Sequence, residues 1–388
     1  MLIELIKEEF YKTTPLFTYL RNFHLMIDSV IDGNTPGRVF VDNYTEPTTA
    51  FLWNSNYDSG WFLEGNNFSD EFCIDLNEVL KEKIIPEGIS LEKSVDCNLC
   101  YYPDRWEDKI PKIFKDFLIR SDRRKQFTFK KLQKTNYNKF IPFNYQLIQI
   151  DKEFVAKAEL YRNGKRIIRD WTVFSPKEEF IGFCMLDGNK IISLCTSDYV
   201  SRDRIEFGIF TDEKYRKRGL ATIVGSAAVD YVQKNGYKWI GWHCWTINEA
   251  SAKTAERIGF ELSLDHPVYH MWYNKYENLI VCALNPSYGE EENIERRIKY
   301  LKTALELLEN RNKEALASKY FKPSEKYRIY YKIALLFAEI KDKKETIFYL
   351  EKAIKNGFPD KKKLGDEVIL NDLLSKDELR ELILMDEN

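Results

Sequence analysis

The run from Ile205 to Phe260 constrains this chain more than any other stretch, and at its centre lies the hexad Arg216-Lys217-Arg218-Gly219-Leu220-Ala221. It reads as a strand (Ile205 to Thr211), a short basic turn, a helix opening at Leu220, a second strand carrying Trp239, Trp242 and Trp245, and a helix ending at Gly259-Phe260. A turn of this kind presents backbone N–H groups at a helix N-terminus, where the helix dipole and the flanking cations favour a bound phosphate. The expectation is a site for a phosphorylated cofactor.

The 388 residues suffice for two or three domains. Lys and Arg (59) nearly balance Asp and Glu (61), and a net charge of −2 argues against a general nucleic-acid binder. No segment approaches the roughly 20 consecutive apolar residues of a membrane span. Glu4, Lys7, Glu8 and Glu9 interrupt Met1 to Phe10, which is therefore not expected to be a signal peptide. A cytoplasmic protein with neither nucleic-acid nor membrane partners is expected. The seven cysteines are odd in number and mostly embedded in apolar runs, as reduced core thiols would be. Cys97-Asn98-Leu99-Cys100 is a lone CxxC, and only four histidines are present, so no metal is expected.

Apolar residues at helical spacing predict a helix from about Pro15 to Ile31. Three short runs, Gly37 to Asp42, Thr48 to Trp53 and Gly60 to Leu63, are divided by turn compositions and predict an antiparallel meander. The segment Lys130 to Lys139 reads as a linker, and the basic cluster Arg120 to Lys125 as solvated charge. A strand at Tyr145 to Ile150, an amphipathic helix at Lys152 to Tyr161, and strands at Phe180 to Leu186 and Ile191 to Ser197 lead into the central run. Past Pro286, segments such as Glu290 to Lys313, Ser324 to Ile340 and Lys343 to Asn356 show helical periodicity with charged outer faces. Tyr330 to Ala353 partly resembles a tetratricopeptide helix pair, with Thr346 where that pattern wants a small Ala. The expected division is an α/β domain over 1–135, a second over 136–285 and an α-helical, tetratricopeptide-like domain over 286–388.

The strand Glu206 to Thr211, the Arg-x-x-Gly-x-Ala turn, and the following Trp239 to Trp245, Asn248, Ser251 and Gly259-Phe260 together resemble the GNAT superfamily of N-acetyltransferases over about residues 140 to 275. A narrower similarity carries Gly37 to Asp42, Pro47, Ala50, Gly65 and Tyr215 to Ala221, and it is to acetyltransferases grouped with zwittermicin A self-resistance proteins. The resemblance implies a mixed α/β sheet in two tandem GNAT-like halves, the N-terminal one degenerate, followed by an all-α domain that lies outside it. It also implies acetyl-CoA as co-substrate. Ile209, Phe210 and Thr211 would pair with the pantetheine arm, and Arg216, Lys217, Arg218, Gly219, Leu220 and Ala221 would cradle the pyrophosphate. Asn248 and Ser251 would contact the arm or its phosphates, or serve as a helix cap.

Attack of an amine on an acetyl thioester needs a base and an oxyanion donor, and an acid can assist the departing thiolate. Glu206 is the candidate base, its alternative reading a surface or salt-bridged Glu. Ala255 stands where many GNAT enzymes place a tyrosine acid, which leaves Tyr269 and His270 as substitutes. His243 reads as a packed strand residue. The expected function is acetylation of a small-molecule amine, such as an antibiotic. The alternatives are acetylation of a polypeptide recruited by the C-terminal helices, and a non-catalytic acyl-CoA sensor or scaffold.

Overall fold

Runs of β-branched and aromatic residues fold into one mixed sheet, seen in a computed structural model that describes residues 2–55, 60–91, 95–133, 136–161, 163, 181–285, 287 and 293–385. Its strands in chain order are β1 (Ile3–Glu4), β2 (Gly37–Val41), β3 (Thr49–Asn54), β4 (Gly60–Gly65), β5 (Asp96–Tyr102) and β6 (Arg120–Phe129). The second set is β7 (Tyr145–Ile150), β8 (Gly182–Asp187), β9 (Lys190–Ser201), β10 (Arg204–Thr211), β11 (Trp239–Trp245) and β12 (Phe260–Trp272). In space they run β1-β2-β3-β4-β5-β12-β6-β11-β10-β9-β8-β7. The expected starts at Phe180 and Glu290 lie outside the described residues.

Each half repeats one plan, an antiparallel meander ending in a parallel pair. In the first half β2, β3 and β4 form the expected meander and β4 lies parallel to β5; in the second, β8, β9 and β10 do the same and β10 lies parallel to β11. These are the two GNAT-like halves, and they exchange strands: β6 of the first half pairs with β11, and β12 of the second lies beside β5. Residues 1–116 and 121–270 consequently pack as a single unit. Residues 117–120 and 271–388 form the other, so the packing cuts across the sequence-order divisions at 135 and 285.

The parallel pairs differ in a way that separates the halves functionally. Pairing of β4 with β5 runs from Gly60↔Asn98 to Glu64↔Tyr102, nearly the full length of β4. The helix that follows, Asp70–Val79, opens with Asp70 and Glu71, whose charges oppose an anion at its N-terminus. Pairing of β10 with β11 stops at Phe207↔Trp242, although β10 continues to Thr211 and β11 to Trp245. The helix after β10, Leu220–Lys234, has no acidic residue in its first turn. The first half is closed where the second is open.

Some segments depart from expectation for identifiable reasons. The helix expected from Pro15 is confined to Leu25–Ile31, preceded by 3₁₀ turns at Lys7–Thr13 and Leu20–Asn22. Buried Glu64 accepts hydrogen bonds from the backbone N–H of Tyr19 (2.8 Å) and Leu20 (3.0 Å), and these tertiary bonds replace a helical ladder there. The expected helix Lys152 to Tyr161 shortens to Lys152–Ala156 followed by the 3₁₀ turn Ala158–Leu160. Arg120 to Lys125, expected as solvated charge, opens β6 in mid-sheet. Arg124 is buried over the Trp245 ring (4.8 Å), and Arg123 binds Asp265 (2.8 Å).

Gly259 closes the helix Glu249–Ile258 at φ +126°, and its carbonyl accepts from the Lys130 N–H (3.1 Å). A Cβ there would run into the Lys131 carbonyl. Gly259→Ala is expected to lower unfolding free energy by about 3 kcal/mol or more, combining a disallowed backbone with a clash. Equilibrium urea unfolding checks this, and a loss below about 0.5 kcal/mol would refute it.

In the second unit the helices Lys275–Leu284, Ile294–Glu309, Tyr327–Glu339, Lys343–Lys355 and Lys376–Leu384 share a core that includes Leu301, Ile333, Leu350 and Ile354. Asn274, Asn293, Asp342 and Ser375 cap four of them with side-chain oxygens. Thr346 fits a fully buried small-residue position because its Oγ1 donates to the Asp342 carbonyl (2.7 Å), which leaves only its methyl to pack.

Candidate active site

The open end of the β10–β11 pair leads into a cleft of about 800 Å³. Ile209, Phe210 and Thr211 line it from β10, Arg216, Lys217, Arg218 and Gly219 from the turn, Leu220 and Ala221 from the helix start, and Asn248 and Ser251 from the next helix. Every residue expected to face a phosphorylated cofactor is thus brought to one cavity. Sequence reading missed Tyr215, Lys253 and Arg257, which also line it. Tyr215 adjoins the hexad and Arg257 the Gly259-Phe260 pair, so both lay within the motifs without being given a role, and Lys253 sits on a helix whose orientation the sequence does not state.

The turn holds its shape by local bonds. Arg216 Nε donates to the Thr211 carbonyl (3.1 Å), and Arg218 donates to the Lys214 carbonyl (3.1 Å) and to the Tyr145 hydroxyl (3.1 Å). Lys217 and Gly219 take left-handed conformations, φ 63° and 78°. Gly219 is the N-cap, and a Cβ built on it meets no protein atom within 4 Å. The space a side chain would fill is therefore the cleft itself, at the positive end of a 15-residue helix. The cavity, its cations and the bare glycine together fit a pyrophosphate.

Asn248 caps the helix Glu249–Ile258, accepting from the Ser251 N–H (3.2 Å), while Ser251 Oγ accepts from Trp242 Nε1 (3.0 Å). The cap reading therefore holds, and both residues still face the cleft. The tryptophans divide as strand period requires: Trp242 packs among the core residues of the second half, Trp239 and Trp245 against the core cluster of the first.

Glu206 sits one residue below the point where β10 and β11 part. It is 1% exposed, its Oε1 lies 2.6 Å from His243 Nδ1, and its Oε2 is buried without a partner. His243, read from sequence as a packed residue, is thus the partner of the candidate base. The pairing was hidden because the two lie 37 residues apart and meet only through parallel strand register. None of the three catalytic candidates, Glu206, Tyr269 and His270, is among the residues that line the cleft. His270 lies on β12, with Nε2 3.0 Å from Asp96 Oδ2 and its ring edge-on to Trp245, and Tyr269 packs near Tyr101. Ala255 is fully buried, so its position offers no acid.

A mixed sheet that opens between two parallel strands, with a cation-flanked turn feeding a helix at the opening, defines an acyltransferase of the GNAT fold. The GNAT acetyltransferase family model matches residues 15–269, and the chain belongs to that family. It is 26% identical over 276 residues to YdfB of Bacillus subtilis (strain 168), named as an uncharacterized N-acetyltransferase, covering 70% of this chain and 98% of that one. A GCN5-related N-acetyltransferase-like protein from Streptococcus suis 89/1591 shares the fold, with TM-score 0.52 and 20% identity over 68% of this chain and 98% of its own. The helices beyond residue 272 lie outside the family match.

Proposed function

We propose that the chain transfers an acetyl group from acetyl-CoA to an amine of a small molecule, and that residues 136–285 carry the chemistry. The observation that carries this reading is the coincidence of the parted strands with the Arg216 to Ala221 turn around one cleft. Acetyl-CoA supplies the activated acyl group as a thioester. Arg216, Lys217 and Arg218 offset the charge of its phosphates, Gly219 lets the backbone N–H groups approach them, and the edge of β10 that β11 leaves open from Ile209 to Thr211 receives the amide-bearing arm.

Glu206 takes the proton of the attacking amine on Oε2, directly or through water. With Nδ1 protonated, His243 donates to Oε1 and holds the carboxylate in place. Tyr269 and His270, engaged with Tyr101 and Asp96 away from the parted strands, are given no step. A thiolate whose acid has a pKa of about 8.5 departs without a proton donor. The similarity of Gly37 to Asp42 and Tyr215 to Ala221 to self-resistance proteins favours an aminated antibiotic or metabolite as acceptor, handled in the cytoplasm. Acetylation of a polypeptide recruited by the tetratricopeptide-like helices is the variant of this reading that concerns the acceptor.

A second reading, an acyl-CoA sensor without turnover, draws on buried Ala255 and on the closed first half. One experiment separates them: full-length protein with acetyl-CoA and a panel of amines, polyamines, aminated antibiotics and peptides, read by thiol release. Release with small amines is the expected result. Release only with peptides moves the acceptor to a polypeptide, and tight acetyl-CoA binding with no release across the panel sinks catalysis in favour of the sensor.

A further inference from the structure

Three side chains with no part in the acetyl-transfer proposal meet at the seam between the halves. His24 precedes the helix Leu25–Ile31, Cys100 lies on β5 and His266 on the neighbouring strand β12. All three are buried, and one nitrogen of each imidazole and the Cys100 Sγ lie within 4.8 Å of one another. We infer that His24, Cys100 and His266 form a zinc site that ties the first half's β5 to the second half's β12.

The donor chemistry supports this. Nε2 of His24 and Nε2 of His266 are both buried without a hydrogen-bond partner, in residues only 4% and 9% exposed. A buried polar atom left unpaired is costly, and two such atoms, in rings that meet beside one thiol, call for a ligand. The other ring nitrogen is engaged in each case, as is usual for metal-bound imidazole. His266 Nδ1 lies 3.2 Å from the Pro267 carbonyl, a bond that places the proton on Nδ1 and the lone pair on Nε2. His24 Nδ1 lies 3.1 Å from the Gln126 amide, whose Oε1 is itself buried and unpartnered. Turning that amide over lets Oε1 accept from His24 Nδ1–H, which leaves the Nε2 lone pair free.

Two imidazoles and a thiolate are a zinc donor set. Tetrahedral zinc would set donor separations of about 3.5 Å, so the side chains draw in by about 1 Å. A small cavity of about 10 Å³, walled by His24, Cys100, Gln126 and Arg124 and also by the apolar Met26 and Phe62, adjoins the cluster. Cys97 takes no part, because residues three apart on β5 point to opposite faces. The CxxC spacing is therefore not the chelate, and the partners of Cys100 come from elsewhere in the chain.

Full-length protein stripped with chelator and dialysed against Zn(II) is expected to retain one zinc per chain by atomic emission and to melt at a higher temperature than the stripped form. Co(II) in its place is expected to give a thiolate-to-cobalt charge-transfer band. Cys100→Ser removes that band and weakens zinc binding by more than about 100-fold, whereas Gln126→Leu, touching only the outer partner, costs about 10–100-fold. Substoichiometric zinc in the wild-type chain overturns the assignment, and so does a cobalt adduct without the thiolate band. Both are read on unmutated protein, so neither depends on a variant folding. Unchanged zinc binding by Cys100→Ser overturns it equally, and would leave the two ring nitrogens to a buried water. Acetyl-transfer activity enters none of these readouts.

Discussion

Glu206→Gln is expected to lower kcat for acetyl transfer by on the order of 10²–10⁴-fold, the range for losing a general base, while leaving acetyl-CoA affinity and the melting temperature close to wild type. The substitution is nearly isosteric. The carbonyl of the new amide can still accept from His243 Nδ1, so the buried contact that holds this side chain between β10 and β11 is kept. What disappears is the unpartnered Oε2 that receives the proton. Steady-state kinetics with the best amine from the panel, paired with isothermal titration of acetyl-CoA, reads both quantities. A variant that turns over normally would return Glu206 to the role of a buried structural acid. His243→Asn extends the test: it removes the imidazole that positions the carboxylate, and its kcat is expected to fall less than that of Glu206→Gln.

The second large effect is expected at the turn. Gly219→Glu should weaken acetyl-CoA binding by about 100-fold or more, because a carboxylate then projects into the space a phosphate would occupy and competes for the same N–H groups. Gly219→Ala separates charge from shape. At φ 78° an alanine costs about 1–2 kcal/mol of backbone strain, yet its methyl meets no protein atom within 4 Å. The alanine variant should therefore fold with a modest stability loss and bind acetyl-CoA with intermediate affinity. Calorimetric titration alongside urea unfolding distinguishes the outcomes, and wild-type affinity in both variants would remove the turn from the cofactor site.

Much of this site was legible because its parts are local. The hexad, the strand before it and the cap at Asn248 are each encoded within a few residues, by a glycine where φ is positive and by a side chain that bonds a backbone N–H three residues on. The helix from Pro15 misled for the opposite reason. Its apolar spacing is helical, but Glu64, some 45 residues away, takes the backbone bonds of Tyr19 and Leu20. The basic cluster in β6 misled likewise, since nothing near Arg124 in sequence announces that it will be buried over Trp245.

By itself, then, the sequence determined two things about this protein: the short strands and turns of each half, and the basic turn with its glycine before the helix at Leu220. Local backbone preference and strand or helix periodicity are properties of neighbouring residues, so they can be read in order. Tertiary structure alone decided which strands part and which stay zipped, that β6 and β12 cross between the halves, and that Glu206 meets His243. It also decided that His24, Cys100 and His266 converge. Such outcomes depend on register and on strand order across the sheet, where a contact joins residues 37 or 174 positions apart and no local pattern records the meeting.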